Sequence, residues 1–322
     1  MKQKYNVLII GAGNIGAFFD TPDSEDVLTH AHAFTKHKGF NLAGFVDLDM
    51  KKAKKAVLVW GGRAFKNAEE ALAKERMDIV CIAVPDDCHY SVLKNISQAN
   101  TKFVFAEKPL AANMAEADEI VKLYQRKKIP LAVNYSRRFI PEFQKIKWDI
   151  NKGLYGDYIT GTGYYGKGIL HNGSHLINLL IYLIGGIEGS RQIDRFFDFT
   201  KDDPSISAVL DFGNDKNFLL QYIDSNLYTI FEIDLFFKKK RISIKDLGCR
   251  IEEYDVKEGQ FVKGYKNMVQ IREIITSCKK SLYYSAENIY NYLTKGEEIK
   301  CTINDAYKTM QTCIRIRGNL KD

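Results

Sequence analysis

Hydrophobic residues near the amino terminus form a short unbroken run at residues 7–10, followed by glycines and then by apolar residues at helical spacing. A run without polar interruption is typical of a strand buried on both faces of a parallel sheet. Gly11, Gly13 and Gly16 stand at G-x-G-x-x-G spacing between the two segments. The pattern therefore predicts a strand, a tight turn and a helix in succession.

The alternation of apolar runs and helical periods continues as far as residue 133. Strands are predicted at 41–46, 64–65, 78–84, 102–105 and 131–133. Helices are predicted at 29–38, 53–60, 68–74, 88–99 and 114–127. Strands separated by helices imply a doubly wound parallel sheet with right-handed crossovers. Ligands bind beyond the carboxyl ends of such strands, so the loops there are the candidate site.

Beyond about residue 155, strand-like segments follow one another without helices between them. Residues 158–165 alternate like a half-buried strand, and residues 208–244 contain several strand-like runs separated by turns. Successive strands of this kind predict an open, largely antiparallel sheet with helices on one face. Helical periods return at 176–184, 268–278, 286–293 and 306–315.

The two patterns predict an α/β fold, with an N-terminal doubly wound (Rossmann) parallel sheet and a C-terminal α+β domain that has an open sheet. We place a dinucleotide-binding domain at residues 1–135 and a substrate-binding and oligomerisation domain at residues 136–322. With 322 residues, 45% of them hydrophobic, the chain is long enough for two such domains.

The formal net charge of +7 includes lysine-rich patches such as 51–55 and 238–241. Because these patches lack interleaved aromatic residues, solvated surface is favoured over nucleic-acid binding. No apolar segment approaches the roughly 20 residues that span a bilayer, so no membrane partner is expected. The six cysteines are widely spaced and form no C-x-x-C pair, which favours a reduced, cytoplasmic protein over a disulfide scaffold.

The glycine turn is a candidate dinucleotide site. Its first glycine permits a sharp turn, its second lets the backbone approach a pyrophosphate, and its third lets the helix pack on the strand. The N–H groups at the start of the following helix would hold the phosphates. We assign cofactor contacts to Gly11, Gly13, Asn14, Ile15 and Gly16. A purely structural glycine turn is the alternative.

Asp47 stands at the end of the second predicted strand. An acidic side chain there can accept hydrogen bonds from both hydroxyls of an adenosine ribose and would repel a 2′-phosphate, which favours NAD. Two following lysines keep NADP open, and a turn or helix-cap role for Asp47 is the alternative. The polar loop at 20–26 explains why Asp47 lies further from the glycines than usual. His30 and His32, on the helix predicted after this loop, are expected to flank the site.

The tripeptide Glu107-Lys108-Pro109 follows the strand predicted at 102–105. A lysine beside a nicotinamide can hold a substrate hydroxyl or its alkoxide, and partial burial brings its pKa toward the range of proton exchange. Pro109 biases Lys108 toward an extended backbone and so favours a defined side-chain direction. The tripeptide is common on protein surfaces, so its position at a strand end carries the interpretation.

Six segments taken in order give a more specific signal than any of them alone. They are the glycine turn, Asp47, AVPDDCHY with Pro85 and His89, AEKPL with Lys108, NYSRRF with Arg137 and Arg138, and GILHNGSHLINLL. Together they resemble the glucose-fructose oxidoreductase / inositol dehydrogenase (Gfo/Idh/MocA) family in order and spacing, as far as about residue 186. Beyond that point only the sheet-like pattern agrees.

The resemblance implies an NAD(P)-dependent dehydrogenase that acts on a secondary alcohol of a sugar or cyclitol in a cleft between two domains. By position it makes Lys108 the catalytic lysine and His175 the proton-transferring histidine. It also implies a homo-oligomer formed through the C-terminal sheet. We expect further cofactor contacts from Pro85, His89 and Glu107, and substrate contacts from Arg138, Lys167, His171 and Asn172.

The histidine pair departs from the family pattern, which has an Asp four residues before the catalytic His where this chain has His171. If the segment is helical, this spacing puts both imidazoles on one face. A neutral His171 could bind the same hydroxyl, or Asn172 could position the substrate, but neither supplies the negative charge of an Asp. Two alternatives stay open: a zinc pair, although no H-E-x-x-H motif is present, and a helix start capped by Asn172 or Ser174 with incidental histidines.

Three functions are therefore weighed. The leading one is reversible oxidation of a secondary alcohol of a sugar, cyclitol or nucleotide-linked sugar, in which His175 takes the proton, Lys108 stabilises the alkoxide and NAD accepts the hydride. The first alternative is an NAD-binding protein without dehydrogenase activity, such as a redox sensor or an assembly subunit, which His171 motivates. The second is a non-redox lyase that uses NAD transiently. No metal site is expected.

Overall fold

The computed structural model of the protein describes residues 4–259 and 262–318. Within these residues the chain forms two compact units. The first unit ends at Phe139 and takes up Lys279–Tyr307, while the second contains Ile140–Cys278 and the residues from Lys308 on. The chain therefore returns to the first unit after residue 278, a crossover that a division into two successive domains does not include. The roles assigned to the two domains stay predictions.

The helices begin where the sequence provides a cap. Thr29, Asp49, Asn67 and Asn113 each precede a helix and accept a hydrogen bond from an N–H of its first turn. Each helix in residues 4–259 and 262–318 is too short or too polar to cross a membrane. In chain order the α-helices are α1 (His30–Lys36), α2 (Met50–Trp60), α3 (Ala68–Lys74), α4 (His89–Ile96), α5 (Met114–Lys127), α6 (Pro141–Asn151), α7 (Ser174–Leu183), α8 (Ser281–Lys295) and α9 (Ile303–Arg317).

The described residues of the first unit contain a six-stranded parallel sheet in the order β3-β2-β1-β4-β5-β6, which is the doubly wound nucleotide-binding order. The strands are β1 (Tyr5–Ile10), β2 (Phe40–Val46), β3 (Arg63–Phe65), β4 (Ile79–Ile82), β5 (Phe103–Ala106) and β6 (Leu131–Val133). The central strands β4 and β5 are buried along their whole length, as a sheet covered by helices on both faces requires. The predicted parallel sheet is confirmed.

The second unit contains a sheet whose described strands lie in the order β14-β13-β12-β11-β7-β10-β9-β8. They are β7 (Tyr158–Tyr165), β8 (Gly189–Thr200), β9 (Asp203–Asp211), β10 (Asn217–Tyr222), β11 (Phe231–Phe237), β12 (Lys240–Lys245), β13 (Arg250–Glu258) and β14 (Lys266–Ile275). β7 pairs parallel with β10, and the other neighbours pair antiparallel. The sheet is therefore mixed and largely antiparallel, as predicted.

Residues 268–278, predicted as a helix, instead form most of the edge strand β14 and the segment after it. Their apolar residues fit a helical spacing, but the backbone pairs with β13 from Arg250 opposite Ile275 to Glu258 opposite Lys266. Cross-strand hydrogen bonds thus decide the structure of a segment whose apolar period is ambiguous. The helix prediction was wrong for this reason.

Cys249 and Cys278 form a disulfide bond, which corrects the expectation that the cysteines are reduced. The two residues lie just outside the β13–β14 pair, whose register places Arg250 opposite Ile275. Strand pairing therefore brings together two thiols that are 29 residues apart in sequence. That separation leaves no local motif from which the bond could be read. The cytoplasmic location stays a prediction.

The core of the second unit is organised around β7. Tyr165 is fully buried, and its hydroxyl donates to Ile206 O at 2.9 Å and accepts from Ile206 N at 2.7 Å. The ring packs in a cluster that includes Leu176 of α7 and Phe218 of β10. A single side chain therefore ties β7 to β9 through both polar groups of one backbone residue.

Replacing Tyr165 by Phe should lower the free energy of unfolding by about 1–3 kcal/mol, because two buried backbone groups lose their partner. Urea denaturation with far-UV circular dichroism measures the change. The matched control is Tyr164→Phe, a half-buried neighbour whose side chain points to the other face of the strand. Equal effects of the two substitutions would show that the buried hydroxyl contributes nothing.

Candidate active site

The register of the parallel sheet brings five strand ends to one edge. The aligned end residues are Ile10, Val46, Ile82, Ala106 and Val133. Gly11, Asp47, Glu107 and Asn134 each follow one of these ends directly. The structure thus brings together most of the loops that the sequence selected in the first unit.

The three glycines are required for different physical reasons. Gly11 has φ +100°, and a Cβ on it would lie 2.3 Å from Ala83 O. A Cβ on Gly16 would lie 2.1 Å from Gly11 O. At Gly13, by contrast, a Cβ would meet no atom within 4 Å, so the space beside this residue is open. Two glycines serve close packing of the chain, and the middle one borders open space, so its contact with a pyrophosphate stays a prediction.

The predicted helix after the glycines is only a five-residue π-helical turn, Asn14–Phe18. Asn14 is exposed and Ile15 is half-buried on this turn. Because the turn is so short, its dipole contributes less to anion binding than the dipole of the longer helix that was predicted here. The backbone N–H groups of the glycine turn itself remain the candidate phosphate ligands.

Asp47 lies directly against the glycine turn. Its Oδ2 accepts a hydrogen bond from Ala12 N at 2.9 Å, and its Oδ1 accepts one from Asp49 N at 2.8 Å. The helix cap of α2 is Asp49 rather than Asp47. The carboxylate is therefore held beside the turn despite the long spacing in sequence, where it could accept hydrogen bonds from a ribose.

Glu107, predicted as a cofactor contact, is held by two buried side chains. His30 Nε2 lies 2.8 Å from Glu107 Oε1, and Asn134 Nδ2 donates to the same oxygen at 2.7 Å. His30 is fully buried on the first turn of α1, and its ring meets Phe105 edge-on at 5.2 Å between centroids. The residue before Lys108 is thus fixed from two sides.

The charges of this pair support each other. Burial acts to lower the pKa of His30, but interactions with Cys81 and Glu107 outweigh it and raise the pKa to about 10. Burial acts to raise the pKa of Glu107, but His30, Asn134 and the positive charge of Lys108 hold it below its ordinary value. At neutral pH His30 is therefore an imidazolium and Glu107 a carboxylate.

His89 holds the residue after Lys108. Its Nδ1 lies 2.5 Å from Pro109 O, and its Nε2 lies 3.0 Å from Val84 O, so the buried ring joins the loops after β4 and β5. The Lys108–Pro109 peptide bond is cis. Pro85 immediately precedes the short helical turn that leads into α4. The cofactor contacts assigned to Pro85 and His89 stay predictions, and His89 has a clear structural role as well.

The polar loop at residues 20–26 supports the histidines of α1. Asp20 Oδ2 lies 2.8 Å from His32 Nδ1, and Asp20 Oδ1 accepts from the Thr29 hydroxyl at 2.5 Å. The loop therefore fixes the start of α1 and, with it, His30. Of the two histidines, only His30 bonds to a strand-end residue of the candidate site.

Arg138 is 4% exposed, and its Nη1 lies 2.9 Å from Asp305 Oδ1, within the first unit. This ion pair ties the turn after β6 to the start of α9. The substrate contact assigned to Arg138 stays a prediction, and the ion pair is no evidence for or against it.

The remaining predicted residues lie on or next to one turn of the second unit. Gly168–Gly173 is a π-helical turn that leads directly into α7, with His175 on the first turn of α7. π-Helical turns are rare and are frequent at functional sites. His171, Asn172 and His175 are each half-buried, whereas Lys167 is exposed.

A carboxylate that the sequence did not single out lies beneath this turn. Asp203 Oδ1 accepts from Leu170 N and its Oδ2 from His171 N, each at 2.9 Å. Burial raises the pKa of Asp203. Position 171 has no Asp, but Asp203 of β9 binds the backbone N–H group of His171. No motif surrounds Asp203, which starts β9 and reaches the turn after β7 through the pairing of β9 with β10 and of β10 with β7.

The metal alternative finds no donor set in the part of the chain that the structure describes, where no group of three or more His, Cys, Asp or Glu side chains could hold a metal ion.

Sequence comparison relates part of the chain to a known family. Residues 5–135 match the model of the oxidoreductase family with an NAD-binding Rossmann fold, Gfo/Idh/MocA. An inositol 2-dehydrogenase of Corynebacterium glutamicum is 28% identical over 165 residues, which are 51% of this chain and 46% of that protein. Over these residues the chain is similar to the Gfo/Idh/MocA family. It spans about half the length of the curated relatives that it matches.

Solved structures agree with the fold over nearly the whole chain. UDP-N-acetylglucosamine 3-dehydrogenase GnnA from Acidithiobacillus ferrooxidans has a TM-score of 0.77 at 18% identity, covering 98% of this chain and 97% of that one. The WlbA dehydrogenase from Bordetella pertussis, in complex with NADH and UDP-GlcNAcA, has a TM-score of 0.76 at 17% identity, covering 99% and 97%. At this identity the likeness shows a shared fold alone.

The His30–Glu107 pair makes the stability of the protein depend on pH. The pKa of His30 is about 10 in the fold and about 6.5 when unfolded, so its contribution is complete below 6.5 and is lost as the pH rises through 10. The stability difference between the wild type and His30→Gln should therefore shrink between pH 6.5 and 10, by at most about 1.4 kcal/mol per pH unit. Denaturant titrations across this range measure it.

The control is His37→Gln, at the end of the same helix. Burial lowers the pKa of His37, so its contribution should instead grow as the pH rises toward 6.5 and then stay constant. A wild-type advantage over His30→Gln that is independent of pH would contradict the assignment of the charged pair.

Proposed function

We propose that the protein is an NAD-dependent oxidoreductase that interconverts a secondary alcohol and a ketone on a sugar, cyclitol or nucleotide-linked sugar. The observation that carries the proposal is the fixed backbone on both sides of Lys108, on the same sheet edge as the glycine turn and Asp47. A buried ion pair and a buried histidine hold a loop that carries an amine. Such an arrangement suits a catalytic lysine better than a lysine in a surface turn that has no function.

The residues at this edge fit a dinucleotide. The open space beside Gly13 can admit a pyrophosphate, and the Asp47 carboxylate can accept hydrogen bonds from ribose hydroxyls. When bound, NAD accepts a hydride from the alcohol or returns it to the ketone. We favour NAD over NADP because Asp47 would repel a 2′-phosphate.

In the proposed reaction His175 takes the proton of the substrate hydroxyl, and Lys108 stabilises the alkoxide with its ammonium group. Glu107 keeps a negative charge next to Lys108 in sequence, because the charge of Lys108 is among the interactions that lower the pKa of Glu107. His171 and Asn172 precede His175 on the π-helical turn and are proposed to position the substrate.

The printed activities of the relatives lie within this proposal. The inositol 2-dehydrogenase is named for a cyclitol, and another relative, 24% identical over 176 residues, is the D-apiose dehydrogenase of Paraburkholderia graminis. Both are named for dehydrogenation of a polyhydroxylated compound. We extend that class of substrate to this chain.

One observation favours a second candidate, an NAD-binding protein without dehydrogenase activity. His171 stands where the family pattern has an Asp. Both carboxylate oxygens of the nearby Asp203 accept hydrogen bonds from backbone N–H groups. Tight binding of NADH without turnover of any sugar or cyclitol would favour this candidate. Product formation without net change in NADH would favour a lyase.

We also propose that the protein forms a homo-oligomer through the second unit and acts in the cytoplasm. Apolar side chains are exposed on both edge strands of its sheet, for example Ile193 and Phe197 on β8 and Ile275, 71% exposed, on β14. Apolar edges of this kind are normally covered. Sedimentation that gives a monomer at micromolar concentration would contradict the oligomer.

Lys108→Met and His175→Ala should each lower the rate of NADH formation by about 100-fold or more, because the first removes the group that stabilises the alkoxide and the second the group that takes the proton. The double variant should be little worse than the slower single variant, since both act on one step. Assays with NAD and a panel of inositols and neutral and acidic sugars measure this. NADH affinity, followed by fluorescence, should stay near the wild-type value.

The matched control is Lys122→Met, an exposed lysine on α5, which should retain wild-type rates. Near-wild-type turnover in Lys108→Met or His175→Ala would refute the corresponding role.

The wild type should bind NADH more tightly than NADPH, and Asp47→Asn should lose most of this preference because it removes the charge that repels a 2′-phosphate. Fluorescence titrations with both cofactors measure the ratio. Asp49→Asn is the control, since Asn also caps a helix and the ratio should not change. Equal affinity of the wild type for both cofactors would remove the argument for NAD.

A further inference from the structure

The second unit contains a pocket of about 340 Å³ on the sheet edge beside the π-helical turn. Lys167 and Asn172 contribute from the segment after β7, and Asp198 and Phe199 contribute from the end of β8. Ser225 and Asn226 close it from the turn after β10. With Thr229 and Ile230, which follow in the chain, the lining combines one ammonium, one carboxylate, two amides, two hydroxyls, an aromatic ring and an aliphatic side chain.

Lys167 has a backbone conformation that is costly for its residue type. Its φ of 68° and ψ of 53° are left-handed, and it lies between Gly166 and Gly168. A left-handed conformation is unfavourable for a residue with a Cβ, so glycine would be easier to accommodate at this position. Strain of this kind at a pocket is an argument that the side chain serves a function.

Asp198 holds this backbone and does not compete for a ligand. Its Oδ2 accepts from Lys167 N at 2.7 Å and from Ser225 N at 3.2 Å, and its Oδ1 accepts from the Ser205 hydroxyl at 2.7 Å. Burial acts to raise the pKa of Asp198, but these bonds outweigh it and lower the pKa. The 7% exposed carboxylate is therefore charged, and its oxygens are occupied by donors from the frame of the pocket.

Two basic side chains gather on the ring of Phe199. Lys167 Nζ lies 5.6 Å from the ring centroid, and the His171 imidazole stacks on the ring at 4.6 Å with an interplanar angle of 25°. Lys167 is exposed and is the one cation among the lining residues that the structure describes, while Asp198 is the one anion and binds the frame of the pocket. A carboxylate at position 171 would add a second negative charge beside Phe199.

We propose that this pocket binds an anionic group of the substrate, a carboxylate or a phosphate, with Lys167 as the cationic contact and His171 as its neighbour on Phe199. The inference rests on the proposed function, because it narrows the substrate from sugars in general to sugars that carry an acid. It also gives His171 a reason to replace an Asp, since an acidic side chain would repel the bound group.

Binding is tested by calorimetry on the full chain with saturating NADH, using inorganic phosphate, D-glucuronate and D-glucose as probes. The wild type should bind at least one anionic probe about tenfold or more tightly than glucose, and Lys167→Met should lose that advantage. The stronger of phosphate and glucuronate identifies the kind of acid. His171→Asp should weaken the same probe by like-charge repulsion.

Lys167→Gly separates a ligand-binding role from a structural one. Glycine fits the left-handed backbone, so this variant should unfold at the same or a higher denaturant concentration while losing anion affinity. If its stability falls and its anion affinity does not, the lysine serves the fold and the proposal is overturned. Lys201→Met, an exposed lysine in the β8–β9 turn, is the control and should bind all three probes as the wild type does.

The remaining outcomes separate this inference from the proposed function. Binding of glucose as tight as that of both anions, or no binding of either anion up to its solubility limit, overturns the anion pocket. Turnover of a neutral sugar alone would then still support the oxidoreductase. Lys167-dependent anion binding without turnover of any sugar acid supports the pocket and counts against the oxidoreductase.

Discussion

The buried ion pair between His30 and Glu107 is the interaction on which the candidate site depends. It joins the first turn of α1 to the end of β5, and the Asp20 loop fixes α1 from the other side. Removing one partner of a buried pair leaves an uncompensated charge, which costs far more than the loss of a surface contact. The backbone beside Lys108 is therefore held by a contact that is costly to break.

The second unit uses the same physical device with backbone groups in place of a histidine. Asp198 and Asp203 are buried carboxylates whose oxygens accept N–H groups from the segment around the π-helical turn. In both units a buried charge fixes a loop that carries an exposed or half-buried basic residue. A backbone held in this way is what precise placement of a functional side chain requires.

Much of the first unit could be predicted from its sequence, because each parallel strand is a short apolar run and each helix has its own period and cap. The resemblance of the chain to a family could be recognised from six loose motifs in order. Gly11, Asp47 and Glu107 do meet at one edge of the sheet. The short π-helical turn after Gly13 was missed, since residues 14–19 keep a helical apolar pattern although the helix stops. His30 could be placed near the site but not paired with Glu107, because that contact crosses 77 residues.

The second unit was less predictable because its structure depends on long-range strand pairing. The apolar residues of β14 fit a helix, and only pairing with β13 makes them a strand. The Cys249–Cys278 bond and the position of Asp203 follow from the same kind of register, which no local motif encodes. The pocket beside Lys167 likewise joins three segments that are distant in the chain.

The central claim is that the glycine turn holds a dinucleotide, and Gly13 allows the most direct test of it. This residue has ordinary φ and ψ angles of −85° and −165°, and a Cβ there would meet no atom of the described residues within 4 Å. NADH titration of Gly13→Val, with Gly186→Val as a control that is equally open, measures the claim. The account predicts an unchanged unfolding midpoint and an affinity for NADH that is lower by at least about tenfold. Wild-type affinity in Gly13→Val would contradict it.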